Sequence, residues 1–156
     1  MSISEELSKN FKEALLHGNW ICTNLNDQLK DISWQQAVMQ VYQLNSIALL
    51  TFHINYYING LAQVFEGGPL DIKDKYSFEM NPITSEEEWT SLKKQSNDNT
   101  LRFADLIKNL SDKELYEPFL DPKYGTNFRN ISGILNHSFY HLGQIAILKK
   151  ITSAEI

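Results

Sequence analysis

The chain has 156 residues, long enough to bury a core of its own as one domain, 1–156, without a disulfide or structural metal to hold it together. Its 42% hydrophobic and 21% charged residues exclude a disordered chain, and 14 Lys and Arg against 19 Asp and Glu give a net charge of -5, which repels a phosphate backbone and argues against nucleic acid as a partner. A single cysteine, Cys22, excludes an intramolecular disulfide and suits a reducing compartment. The acidic start Met1-Ser2-Ile3-Ser4-Glu5-Glu6 lacks the basic and apolar pattern of a signal peptide, and no run approaches about 18 apolar residues. The expected address is the cytoplasm, with no membrane partner.

In the first segment Ile3, Leu7, Phe11, Ala14 and Leu15 fall on one stripe of a helix, which Gly18 ends. Residues 18–44 are less regular. Asn19, Thr23, Asn24, Asn26, Asp27, Asp31 and Ser33 repeat turn and N-cap chemistry there, and the stretch reads as a connector with one or two short helical turns. From about Asn45 to Glu66 the sequence is densely apolar and stops at Gly67-Gly68-Pro69, a permissive pair followed by a residue that cannot continue a helix. This is a core helix with His53 near its middle, and a long loop, 67–83, follows it.

Thr84-Ser85-Glu86-Glu87-Glu88 announces the third long helix, because either hydroxyl can cap it and each has a Glu three residues on. Its inner stripe is expected to run Trp89, Leu92, Ser96, Asn99, Phe103, Leu106 and Leu110. Ser96 and Asn99 put polar groups where a bundle wants Leu, either because the helix rotates or bows there or because they line an internal polar pocket. A connector with Pro118, Pro122 and Gly125 comes next; Leu115 to Leu120 could be extended, although Pro118 argues against a central strand. The last helix runs from about Phe128 to Ile151 with Asn127 as a candidate cap. Four long helical segments without repeats predict an all-α, up-and-down four-helix bundle.

Of the four histidines, His137 and His141 are four residues apart on a helix, so both side chains leave the same face about one turn apart, as a two-point metal clamp requires. His53 sits among Phe52 and Ile54, where a buried imidazole needs a partner. Gln144 extends the polar strip of the last helix, and Gly133 leaves that face open one turn before His137. No Glu follows His137, so the zincin protease arrangement is excluded. His17, beside Gly18 at the end of the first helix, is placed outside the cluster, where a cationic imidazole suits the helix dipole.

The block Asn136-His137-Ser138-Phe139-Tyr140-His141-Leu142-Gly143-Gln144-Ile145 resembles the His-x-x-Tyr-His-x-Gly-Gln-Ile signature in the last helix of the DinB-like and YfiT-like superfamily. Leu49-Leu50-Thr51-Phe52-His53 is similar to that family's second-helix histidine block, and Pro82-Ile83-Thr84-Ser85-Glu86-Glu87-Glu88-Trp89 to the start of its third helix. The resemblance covers essentially the whole chain. It implies a four-helix bundle with one divalent metal, commonly zinc or nickel, on His53, His137 and His141, and it implies a homodimer. The family holds thiol-linked transferases and isomerases and metal-dependent hydrolases.

A metal on three neutral imidazoles with an open position can make water or a small thiol acidic and polarise a substrate oxygen. The expected partner is therefore a small-molecule substrate, with a low-molecular-weight thiol as one option. Hydrolysis wants a carboxylate or His near the metal as proton carrier, and none is evident on the histidine faces, which tips the balance toward thiol chemistry. Gln144 and Tyr57, one turn after His53, are the candidate catalytic residues, with Tyr56 and Tyr140 as further donors. Cys22 reads as an inert, partly buried thiol, and Trp20 and Trp34 as apolar covers over the end of the bundle. The alternative class is a metal-binding or stress-response binding module without enzymatic activity, distinguished by a closed site with no cavity beside it.

Overall fold

The computed structural model describes residues 1–18 and 20–154. The turn chemistry read at Asn19 lies outside them. The described chain is all-helical, with a single isolated bridge, Pro118 to Thr126, in place of any strand. Its four long helices are α1 (Ile3–Leu15), α4 (Ile47–Phe65), α5 (Glu86–Lys108) and α7 (Asn127–Ser153), and three short ones, α2 (Leu25–Leu29), α3 (Trp34–Val38) and α6 (Asp112–Tyr116), fill the connections. α1 and α4 each pack against both α5 and α7. No described helix is long and apolar enough to cross a membrane.

Each long helix starts where a hydroxyl can hold its first free N–H groups. Ser2 caps α1 in a reciprocal box with Glu5, Ser46 caps α4, and Ser85 caps α5 while Glu88 reaches back to Thr84. α4 ends at the predicted stop, where Gly67 takes a φ of +89° that side chains resist. The cap of α7 is Thr126, whose Oγ1 accepts the Arg129 N–H; Asn127 is the first helical residue instead, and its amide donates to the Glu114 carbonyl. The segment before it is no bare connector, because Ser111 and Glu114 form a second capping box and build α6.

The core is a chain of edge-packed rings, Phe11 to Phe103 at 5.2 Å and Phe103 to Phe65 at 5.6 Å, with Trp89 fully buried and its Nε1–H donated to the Ile32 carbonyl at 2.8 Å. Two stripes are rotated from their sequence pattern. On α1, Ser4 and Ser8 are buried while Ile3 is 39% exposed and Leu7 half-buried. Small side chains let α1 approach α5, and the Ser8 hydroxyl donates to the Ala104 carbonyl at 2.7 Å. On α5 the buried face passes through Ser96, Thr100, Phe103, Ala104 and Ile107, so the rotation reading of the polar mid-stripe holds.

Asn99 is consequently half-buried and joins a polar ladder between helices. Its amide donates to Asn55 Oδ1 at 2.9 Å, Asn55 donates to Gln95, and Arg102 bonds Asn59 and forms a two-pronged ion pair with Glu66. The α1 rotation has a direct consequence for stability. Ser8→Leu should destabilise by about 1–3 kcal/mol through overpacking, whereas Ile3→Ser should stay within about 0.5 kcal/mol, both read from urea unfolding midpoints. The reverse order would restore the stripe expected from the pattern.

Candidate metal centre

α4 supplies His53, buried because it falls on the helix face that also carries Leu50, Ile54 and Ile58. α7 supplies His137 and His141 one turn apart, half-buried and buried. The three rings converge through their Nε2 atoms: His137 Nε2 lies 3.0 Å from His53 Nε2 and 3.1 Å from His141 Nε2. One ligand nitrogen from each residue fits within a 4.8 Å span. Tetrahedral zinc with Zn–N bonds of about 2.0–2.1 Å sets its nitrogens about 3.3 Å apart; the two separations from His137 come close to that, and all three nitrogens lie within 4.8 Å.

The outer nitrogens decide the protonation of the inner ones. The Ser77 carbonyl can only accept, so the 3.1 Å contact makes His53 Nδ1 the donor, and the Gln144 side-chain oxygen accepts the Nδ1–H of His141 at 2.6 Å. Both Nε2 atoms are therefore lone pairs aimed at His137. A proton on His137 Nε2 could bridge to one of them and would leave the other facing a nitrogen without a hydrogen. His137 Nδ1 is itself buried without a partner. A cation among the three nitrogens would satisfy all three lone pairs and leave His137 Nδ1–H as the lone unmatched donor, so the donor set fits a divalent ion.

Burial, then the nearby His141 and His53, holds the His137 imidazole down to about 4, and burial also lowers His53 against the opposing pull of the Ser77 carbonyl. These rings are neutral at physiological pH, the state that ligates metal.

The loop 67–83 completes the surroundings. Phe78 stacks on the His53 ring at 3.9 Å and 9°, and Tyr57 sets its ring edge-on at 5.1 Å from both His53 and His137. The Tyr57 hydroxyl donates to Asp74 Oδ1 at 2.8 Å, and burial followed by that bond raises its pKa, so it remains a donor. Ile72 fits against Gly60, where a Cβ would meet its Cγ1 at 2.6 Å. Tyr56 both donates to and accepts from the backbone of Lys73. Asp74 is the carboxylate that the helix faces did not show; it opens a single 3-10 turn, Asp74–Tyr76, within the loop, and its contact with Tyr57 and the Ser77 bond to its carbonyl bring it to the site.

Beside His137 opens a cavity of about 440 Å³, lined on its polar side by Tyr57, Asp74, Lys123, Arg129 and Asn130, with Gly133 contributing open floor. Gln144 stands behind His141 and lines a separate cavity of about 260 Å³. Tyr140 is 65% exposed with its ring edge-on to His141. His17 lies exposed and outside the cluster. Cys22 is exposed rather than partly buried, at a φ of 60°, and Trp20 is 96% exposed and covers nothing. Trp34 packs half-buried against the core as expected.

Comparison with known proteins adds no assignment: no protein-family model matches the chain, and no curated protein and no solved structure matches it. The centre stands on its geometry.

The lowered histidines set a pH dependence. Their folded-state pKa values lie below the free-imidazole value of about 6.5, so below that pH the unfolded chain binds more protons. The metal-free protein should hold its full melting temperature above about pH 7 and lose stability as pH falls from about 6.5 to about 4. Thermal melts of chelator-treated protein should show this slope, and His137→Gln should flatten it.

Proposed function

We propose that the protein is a metal-dependent enzyme of the DinB-like type, an up-and-down four-helix bundle that holds zinc or nickel on His53, His137 and His141 and acts on a small molecule in the adjoining cavity. The observation that carries this reading is the meeting of three Nε2 atoms, two of them fixed as lone pairs from behind, on His137, which itself lines that cavity. The family resemblance of the histidine blocks and the packing of α1 and α4 against both α5 and α7 support it. The homodimer and the cytoplasmic address implied by the sequence belong to the same reading.

A divalent ion held by the three imidazoles would keep its full charge and would supply Lewis acidity toward a water or a thiol. Around it the chain's own groups have separate tasks. Tyr57, at the cavity wall, spends its one hydroxyl proton on Asp74 and presents its oxygen as an acceptor, and Asp74 sets a carboxylate beside it. Gln144 and the Ser77 carbonyl orient the rings of His141 and His53. Leu61, Leu70, Ile72 and Ile134 keep one wall of the cavity apolar. Asp74 supplies a carboxylate that the helix faces lacked, so activation of water stands beside activation of a low-molecular-weight thiol, toward which the helix faces tipped the balance.

The alternative, a metal-binding module without a reaction, calls for a closed site. The open cavity at His137 favours the enzyme. Elemental analysis of untagged protein should find about one zinc or nickel per chain, lost in both His53→Ala and His137→Ala. A protein that is metal-free and takes up neither ion on addition would sink the metalloenzyme reading.

A further inference from the structure

The cavity runs along one face of α7, where Arg129, Gly133 and His137 follow at intervals of four residues. Eight residues of helix rise about 12 Å, so guanidinium and imidazole stand toward opposite ends of one trough. Between them Gly133 leaves the floor open: a Cβ there meets nothing within 4 Å. The facing wall is apolar, from Leu61, Leu70, Ile72 and Phe119.

The charges lining the trough are unequally occupied. Asp74 accepts the Tyr57 hydroxyl, and the Lys123 ammonium pairs with Asp121 at 2.7 Å. The Asn130 amide is spent on the carbonyls of Tyr124 and Thr126. The Arg129 guanidinium has no acidic partner among the described residues, although the chain carries an excess of acidic groups. Its stem is placed by the turn before α7. Gly125 has a φ of +81°, and a Cβ there would meet Arg129 Cδ at 2.6 Å, so glycine lets the backbone lie against the arginine. The Arg129 guanidinium is exposed at one end of this trough, where its planar fork suits a carboxylate.

We propose that this trough takes a small carboxylate, its anionic end paired with Arg129, its hydrocarbon body lying over Gly133 against Leu61, Ile72 and Phe119, and its far end reaching His137. The far end rests on the metal-enzyme reading above; the carboxylate clamp stands on the cavity alone. Arg129 is thus a specificity-determining residue, and the substrate class is an extended organic acid of about five to eight heavy atoms, the length left between two side chains whose Cα atoms are about 12 Å apart.

Hexanoate and hexanamide, equal in length and unlike in charge, are the probes. Their affinities are measured by NMR titration of chelator-treated and of zinc-treated protein, with zinc uptake determined separately. Hexanoate should bind about tenfold more tightly than hexanamide in both preparations, with Gly133 and Ile134 resonances shifting. Arg129→Gln should erase the preference while leaving hexanamide affinity unchanged, and Arg129→Lys should keep part of it. Gly133→Leu, which adds a good helix former at an open helical position, should keep the fold and weaken both probes about tenfold. Equal affinity of the two probes for the unmodified chain, or a preference that survives Arg129→Gln, would overturn the proposal. A chain that takes up no zinc yet keeps an Arg129-dependent preference upholds the carboxylate site and removes the metal reading; one that takes up zinc and shows no preference does the opposite.

Discussion

His53 on α4 and His141 on α7 each bring an Nε2 to about 3 Å from that of His137, and their outer nitrogens are already committed to the Ser77 carbonyl and to Gln144. Three inner lone pairs in so small a space repel unless a cation or a proton lies between them; the one proton of a neutral His137 bridges to one neighbour only, and burial disfavours the imidazolium that a second would make. The surrounding structure answers to this constraint. α4 and α7 must hold one register, since sliding either helix by a turn would carry its imidazoles out of contact.

The 67–83 loop is held down by the same site. Four contacts fasten it to α4 in succession: Ile72 on Gly60, Lys73 on Tyr56, Asp74 on Tyr57 and Ser77 on His53. Most of its side chains are exposed, and the hydrogen bonds at these points position it together with Leu70, Ile72, Met80 and Ile83, which pack partly buried against the core. Those bonds orient His53 and bring the Asp74 carboxylate to Tyr57 at once, and this joins loop conformation to the histidine cluster.

Polar groups elsewhere in the interior do a different job. The ladder from Asn55 and Asn99 to Arg102 and Glu66 satisfies its own members and fixes α4 against α5 away from the trough. A satisfied ladder specifies one register, because any slip leaves buried amides without partners. The histidine cluster is the contrasting case, where His137 Nδ1 is buried without a partner and the Nε2 atoms face one another, which is where a ligand is expected.

The amino-acid sequence by itself determined the all-helical class, the extents of the long helices to within a few residues, and the histidines that share a face of α7, because hydroxyl caps, glycine stops and a period of 3.6 residues are local properties. It also singled out His53, through the cost of an imidazole among apolar neighbours. The tertiary structure alone decided which face of α1 and α5 turned inward: Ser8 displaced Ile3, and Thr100 displaced Asn99, because close approach of two backbones favours small side chains over the best hydrophobic stripe. It alone decided that Ser77, Phe78 and Asp74 belong to the site and that Arg129 faces the same trough as His137. Those residues come from loops and from the first turn of a helix, where no periodic pattern exists, and their proximity to the histidines is set by the docking of distant segments that no local spacing encodes.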